Sequence, residues 1–285
     1  MRILELNDEF PITDNFTKYL RKLGHEVDYI RRNVTREKIP SKKYDIIHVH
    51  YALNLSTIRF FLGKKVSRNI VLHLHGSDVR NLPLKYRLIL EFEKFRAKLV
   101  LFSTPDLAQW TNGLWIPNII DFEKFKVINK PVYKNRVLVH VSKHPIKNME
   151  LIHRVVQELK EFKFDFLEGV PYKKVPNIIK KYPLVLGQLS GSYGASELEA
   201  MACGIPTVFY VSPRIKPMIG CETPSLASLN LRYIVRFIRK HIGDLNFGRK
   251  QRKFVERFHH PLKITRLLVQ IFEGIVKGEK CFVDK

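Results

Sequence analysis

The sequence predicts an α/β protein with mostly parallel sheets. Two observations carry that prediction. Short, nearly continuous apolar runs alternate with segments of helical period. The chain has 285 residues, 45% of them hydrophobic, against roughly 150 residues for a typical domain, so two well-packed cores are expected.

The apolar runs, in order, are Arg2 to Leu6, Ile46 to His50, Ile70 to Leu74, Leu99 to Ser103, Leu114 to Ile116, Val137 to Val141, Phe164 to Leu167, Leu184 to Leu186 and Pro206 to Phe209. Between the first two, Phe16, Tyr19, Leu20 and Leu23 recur at helical spacing, with Asp14 or Asn15 placed to cap the start and Gly24 to end the helix. His25, Glu26 and Val27 then lead into a further strand. Charged residues and Pro131 interrupt the pattern between Asp121 and Asn135. The domain boundary is placed in that break, giving segments 1–128 and 129–261. Near the C-terminus, Ile264, Leu267, Leu268, Ile271, Phe272 and Ile275 form an apolar stripe. This closing helix and tail, 262–285, must dock on something. No repeat and no low-complexity tract is visible.

Composition narrows the function classes. Cys203, Cys221 and Cys281 lie far apart without a C-x-x-C pair, which excludes a disulfide framework and a cysteine zinc site. No apolar run approaches the roughly 18 residues a membrane span needs, so a cytoplasmic protein without a transmembrane anchor is expected. Fifty Lys and Arg against 27 Asp and Glu leave a charge of +23. Such an excess calls for a polyanionic neighbour: nucleic acid, an anionic membrane or a phosphorylated substrate.

Ligands of open α/β sheets bind beyond the carboxyl ends of the strands, so the residues after each strand carry the functional reading. Ile46 to His50 and Val71 to Asp78 both contain His-x-His, and the strand period puts each pair on one face. No nearby acid or cysteine completes a usual zinc set, so no metal is expected; His75 and Asp78 are the catalytic candidates. After Val137 to Val141 come Lys143, Lys147 and Asn148. Two ammonium groups, free backbone N–H groups and a helix dipole there make an anion site suited to a pyrophosphate, and Asn148 is placed to cap the helix. The third place is Gly191 to Pro206, a glycine-bearing loop, a short helix and a strand. Ser192, Tyr193, Gly194 and Ala195 approach a ligand there. Glu199 stands either as a ribose acceptor or, through Ser196-x-x-Glu199, as the capping residue of its own helix.

Leu198-Glu199-Ala200-Met201-Ala202-Cys203-Gly204-Ile205-Pro206 resembles the signature run of the retaining GT-B glycosyltransferases, the group 1 or family 4-like enzymes with a Glu-x7-Glu motif. Glu168-Gly169-Val170-Pro171, Gln188 through Gly194, His75-Gly76-Ser77-Asp78 and Ile116-Pro117-Asn118 are similar to motifs of the same group, in its order. The resemblance implies two Rossmann-like domains facing a cleft, with a C-terminal helix crossing back to the first. It implies metal-independent transfer from a UDP- or GDP-linked sugar to a hydroxyl acceptor, with no other cofactor. Glu199 would hold the ribose, Lys143 and Lys147 the pyrophosphate, His75 the transferred sugar, and Gly169 would lie at the donor. The family's first acid falls on Gly191. Aromatics interleave with cations over Lys85 to Lys98, and Arg232 to Arg257 is a second basic stretch. A peripheral role at an anionic membrane, at the inner face of the cell membrane, and a lipid-linked or glycan-precursor acceptor follow as expectations. The alternatives are a catalytically silent homologue and a basic nucleic-acid-binding protein; the latter lacks any recognisable nucleic-acid motif.

Overall fold

The computed structural model describes residues 1–6, 11–30, 42–50, 69–76, 79–80, 82–140, 147–219 and 223–279. The chain forms two units: Met1–Ile119 joined by the stretch from Pro261 onward, and Ile120–His260.

In the first unit the elements run β1 (Arg2–Leu6), α1 (Pro11–Lys22), β2 (Glu26–Ile30), β3 (Ile46–His50), β4 (Ile70–Leu74), α2 (Leu84–Arg96), β5 (Leu99–Phe102) and β6 (Leu114–Trp115). The six strands pair in parallel in the order β2-β1-β3-β4-β5-β6. Both faces of this sheet are covered, which is why its strands read as continuous apolar runs. Leu4, Leu6, Ile47, Val49, Leu72 and Leu74 pack on one side with Leu90 of α2. Ile3, Ile46 and Val71 pack on the other with Phe16 and Leu20 of α1.

Helix α1 starts at Pro11, earlier than the periodicity suggested, so neither Asp14 nor Asn15 is its cap. The Asn15 side chain donates instead to the Ile119 carbonyl at 3.5 Å. The helix ends at Gly24 (φ +85°), as the sequence predicts, with the His25 N–H reaching back to the Leu20 carbonyl. The C-terminal helix, Pro261–Lys277, belongs to this first core: Ile264, Leu268, Ile271, Phe272 and Ile275 are buried in it. Leu267, counted in the apolar stripe, is exposed.

The second unit runs β7 (Arg136–Val139), α3 (Met149–Glu158), β8 (Lys163–Phe166), α4 (Val175–Ile179), β9 (Val185–Leu186), α5 (Ala195–Ala202), β10 (Thr207–Val208), α6 (Lys216–Ile219), α7 (Leu231–His241) and α8 (Leu245–Phe258). Its sheet is also parallel, in the order β10-β9-β7-β8. Val137, Val139, Leu184, Leu186 and Val208 pack with Ile152 and Val155 of α3 and Ile234 and Ile238 of α7. The basic stretch Arg232 to Arg257 thus forms two amphipathic helices, each with one face in the core. Gln251 of α8 closes the sheet edge. Its side chain accepts from the Thr207 N–H and donates to the Thr207 carbonyl, both at 2.7 Å, as a neighbouring strand would.

The second unit begins upstream of the break placed at 128/129. Phe125 is wholly buried, its carbonyl takes a bond from Arg252, and the Ile128 N–H donates to the Cys203 carbonyl at 3.1 Å. These bonds tie the polar connection to the second unit, so the charged residues there mark a well-held surface segment. Among the described residues no helix is long and apolar enough to cross a membrane.

Candidate functional site

The three sequence segments singled out in the second unit meet at the carboxyl ends of its strands. β7 leads to Lys147 and Asn148, β8 to Gly169, and β9 to Gln188 through Ala195. Side-chain bonds lock two of these loops together. The Lys147 ammonium donates to the Gln188 side-chain oxygen, and Asn148 Nδ2 donates to the Leu189 carbonyl at 3.2 Å. Asn148 takes the left-handed conformation (φ 55°) immediately before α3, with no side-chain bond to that helix. The expected cap is therefore a crosslink: its amide holds the β9 loop, and the helix N–H groups are left for other acceptors. Lys143, like Asp78 in the first unit, lies outside the described residues.

At the start of α5 the two acids divide the roles left open for Glu199. Glu197 closes the helix: its carboxylate accepts from the Gly194 N–H at 2.7 Å and the Gln188 N–H at 2.9 Å. Burial raises the Glu197 pKa, while the Lys147 charge and those backbone bonds work against the rise. Gly187 makes room for it, since a Cβ there would come within 2.6 Å of a Glu197 carboxylate oxygen. Glu199, freed from capping, lies buried two residues on, with the Tyr172 hydroxyl donating to it at 2.8 Å. Burial is the main cause that pushes its pKa up to about 8, aided by the nearby Glu197 and opposed by Tyr172. It is mostly protonated at neutral pH, a buried group able both to donate and to accept.

The loop before α5 separates its predicted contacts. Ser192 is buried, and its hydroxyl has no hydrogen-bond partner among the described residues. The Tyr193 ring is core: it packs on Phe209, Phe254 and His259, and its hydroxyl meets His259 Nε2 at 3.1 Å. That side chain holds the loop from behind and is not available to a ligand. The Gly194 N–H is taken by Glu197, whereas Ala195 and Gly169 are partly or fully open to solvent. Gly191 sits at φ +97° and forms a bridge with Val211. An acid at this position would carry backbone strain. Sequence reading missed Tyr172 and Glu197; a carboxylate three residues into a helix after a glycine was the available signal for Glu197.

In the first unit the paired histidines form one cluster. His48 and His50 of β3, with His73 and His75 at the end of β4, stack with ring centroids 4.1 to 5.3 Å apart. His50 Nδ1 meets His75 Nε2 at 2.8 Å, and His48 Nε2 meets His73 Nδ1 at 3.2 Å. The acid absent from the local sequence arrives from β1. Glu5 accepts from His48 at 3.0 Å and from His50 at 2.7 Å. Burial lowers the His50 pKa to about 4 and holds His73 and His75 well below the usual histidine range.

No family model matches the chain, and no curated protein matches it either. Solved structures do. Sucrose-phosphate synthase from Thermosynechococcus elongatus is 15% identical, with 98% of this chain and 100% of that chain covered and a TM-score of 0.67. A glycosyltransferase from Rickettsia africae is 13% identical at a TM-score of 0.67, with coverages of 98% and 99%. HepE of Anabaena, in complex with UDP and glucose, is 13% identical at a TM-score of 0.65, with coverages of 95% and 99%. The fold is the GT-B fold. With it, the α/β class and parallel sheets read from the sequence take their architecture, and the helix that returns to the first core is part of the GT-B plan.

Proposed function

We propose that this chain is a retaining glycosyltransferase that moves a sugar from a nucleotide-diphosphate sugar to a hydroxyl acceptor, with no metal at the departing phosphate. The observation that carries the reading is the strand-end cluster of the second unit. It combines Lys147 beside the start of α3, a buried Ser192 hydroxyl without a partner among the described residues, and Glu199 buried with Tyr172. HepE, which shares the fold, binds UDP and glucose. Breaking the anomeric bond leaves negative charge on the nucleotide phosphate. Lys147, Lys143 and the N–H groups of α3 are the positive groups assigned to that charge. Glu199 holds the ribose hydroxyls, and the leaving phosphate itself takes the acceptor proton on the face it vacates. His75 and Asp78 remain the catalytic candidates. The second reading, a silent homologue that binds donor without transferring it, is favoured by Gly191, where the first signature acid is absent.

Thermal stabilisation by a panel of nucleoside diphosphates and nucleotide sugars tests the donor site. One base class is expected to raise the melting temperature. Glu199→Ala is expected to lose that shift, whereas Glu199→Gln, which can still donate and accept, keeps most of it. A folded protein that no nucleotide stabilises, and that binds RNA instead, would sink the reading. Release of nucleoside diphosphate in the presence of acceptor then separates the active enzyme from the silent homologue.

The acceptor is lipid-linked in this reading, with α2 the contact to an anionic membrane. Leu84, Leu88, Phe92 and Phe95 are all exposed on α2, Phe95 at 85%. Their spacing puts them in one stripe less than a quarter-turn wide. Lys85 and Arg96 flank it on one side, Arg87 and the Glu91–Lys94 ion pair on the other, and Leu90 and Glu93 face the core. Apolar insertion with Lys85, Arg87 and Arg96 beside it suits a negatively charged bilayer surface. Phe95→Ser with Leu88→Ser is expected to reduce sedimentation with phosphatidylglycerol vesicles at least tenfold and to leave the melting temperature unchanged. Equal sedimentation by the variant would return α2 to an ordinary solvated helix.

A further inference from the structure

The histidine cluster of the first unit asks for a cation that the transfer reading does not use. The β1–β3 register sets Glu5 opposite His48, and the β3–β4 register sets His50 opposite His73. All four side chains are fully buried. Phe16 of α1 packs against three of the imidazoles and Phe272 of the C-terminal helix against His48, so solvent is excluded. The Glu5 carboxyl is held by both histidines of β3, His48 Nδ1 at 3.1 Å and His50 Nε2 at 2.7 Å. A carboxyl group bonded to imidazoles is thus shut inside an apolar layer, where a charge without a partner is costly. Its compensating positive charge is a shared proton or a metal ion.

We propose that His48, His50 and His73 bind a divalent transition-metal ion, with Glu5 as the carboxylate that hydrogen-bonds His48 and His50 from behind. One ring nitrogen from each of the three histidines lies within 4.8 Å of the others. Nitrogens bound to a common zinc ion at 2.0–2.1 Å lie roughly 3.4 Å apart, and His48 and His73 already approach at 3.2 Å. Three imidazoles supply three of the four ligands that a tetrahedral zinc ion takes, and the Glu5 bonds to His48 Nδ1 and His50 Nε2 orient two of the rings. The neighbouring His50–His75 bond continues outward from the shell. Binding displaces the protons the cluster now shares and ties the central strands β1, β3 and β4 to one point. The ion's part is structural, and its site lies wholly within the first unit.

The test is metal content of the untagged full chain, expressed with added zinc, desalted and measured by mass spectrometry. A second arm refolds it with cobalt and records the visible ligand-field bands of a tetrahedral site. About one metal per chain and those bands are expected, with both lost in His48→Gln/His73→Gln and kept in His153→Gln, a histidine outside the cluster. Folded wild-type protein that holds no zinc and gives no cobalt bands overturns the proposal and leaves a hydrogen-bonded cluster charged by a proton. Because the wild-type chain decides this by itself, a variant that fails to fold does not obscure the answer. Nucleotide stabilisation reports on the second unit and stands or falls separately.

Discussion

Lys147→Ala is expected to slow sugar transfer by on the order of 10² to 10³-fold, the scale set by removing one fixed donor from a developing anion. The ammonium group bonds to the Gln188 side chain, which holds it beside the start of α3. That preorganisation is what makes its loss expensive in rate: a cation that must be recruited during the reaction supplies less. The variant should also bind nucleoside diphosphate more weakly than nucleoside, since only the former presents phosphates. Lys147→Arg is expected to recover part of the rate. Steady-state kinetics with the donor identified by thermal stabilisation provide the measurement. An unchanged kcat in folded Lys147→Ala would move the phosphate contact away from α3 and onto other groups.

Glu199→Gln is expected to remove a pH dependence from the stability of the second unit. The carboxyl has its pKa raised to about 8, chiefly by burial. The native state therefore keeps a proton that the unfolded state releases above its ordinary value of 4.5. A raised folded pKa gives stability that is full below 4.5 and falls as pH rises, by about 1.4 kcal/mol per pH unit, levelling off above about 8. Glutamine stays neutral throughout and still accepts from Tyr172. The difference between wild type and variant should therefore widen steadily over that window, with the variant the more stable at pH 8. Chemical denaturation at several pH values reads the effect directly. Parallel curves would mean that Glu199 is ionised in the folded protein at neutral pH. The expected gain from so small a change is the mark of a group retained for binding at the expense of stability.

Local pattern made most of the fold legible. β1, β3 and β4 have the bounds that their apolar runs indicate, because a strand buried on both faces stays apolar at most of its positions. Lys147, Asn148 and the Gly191-to-Ala195 loop were legible as site segments because ligands collect where parallel strands end. What each side chain does there was not. Glu197 and Glu199 stand two residues apart in one helix, and only the path of the β9 loop hands the cap to one and leaves the other for a ligand. Tyr193 reads as a ligand contact in a glycine-rich loop, yet the packing of α8 draws its ring inward.

The amino-acid order by itself determined the alternation of strands and helices, the apolar face of the C-terminal helix and the basic excess, since each depends on neighbours within a few positions. Tertiary structure alone decided where that helix docks and what surrounds the histidines. Glu5 and His48 are far apart in the chain and meet only through the parallel register of β1 and β3. A slip of one residue in that register would turn Glu5 to the opposite, wholly apolar face, where no imidazole could compensate its charge.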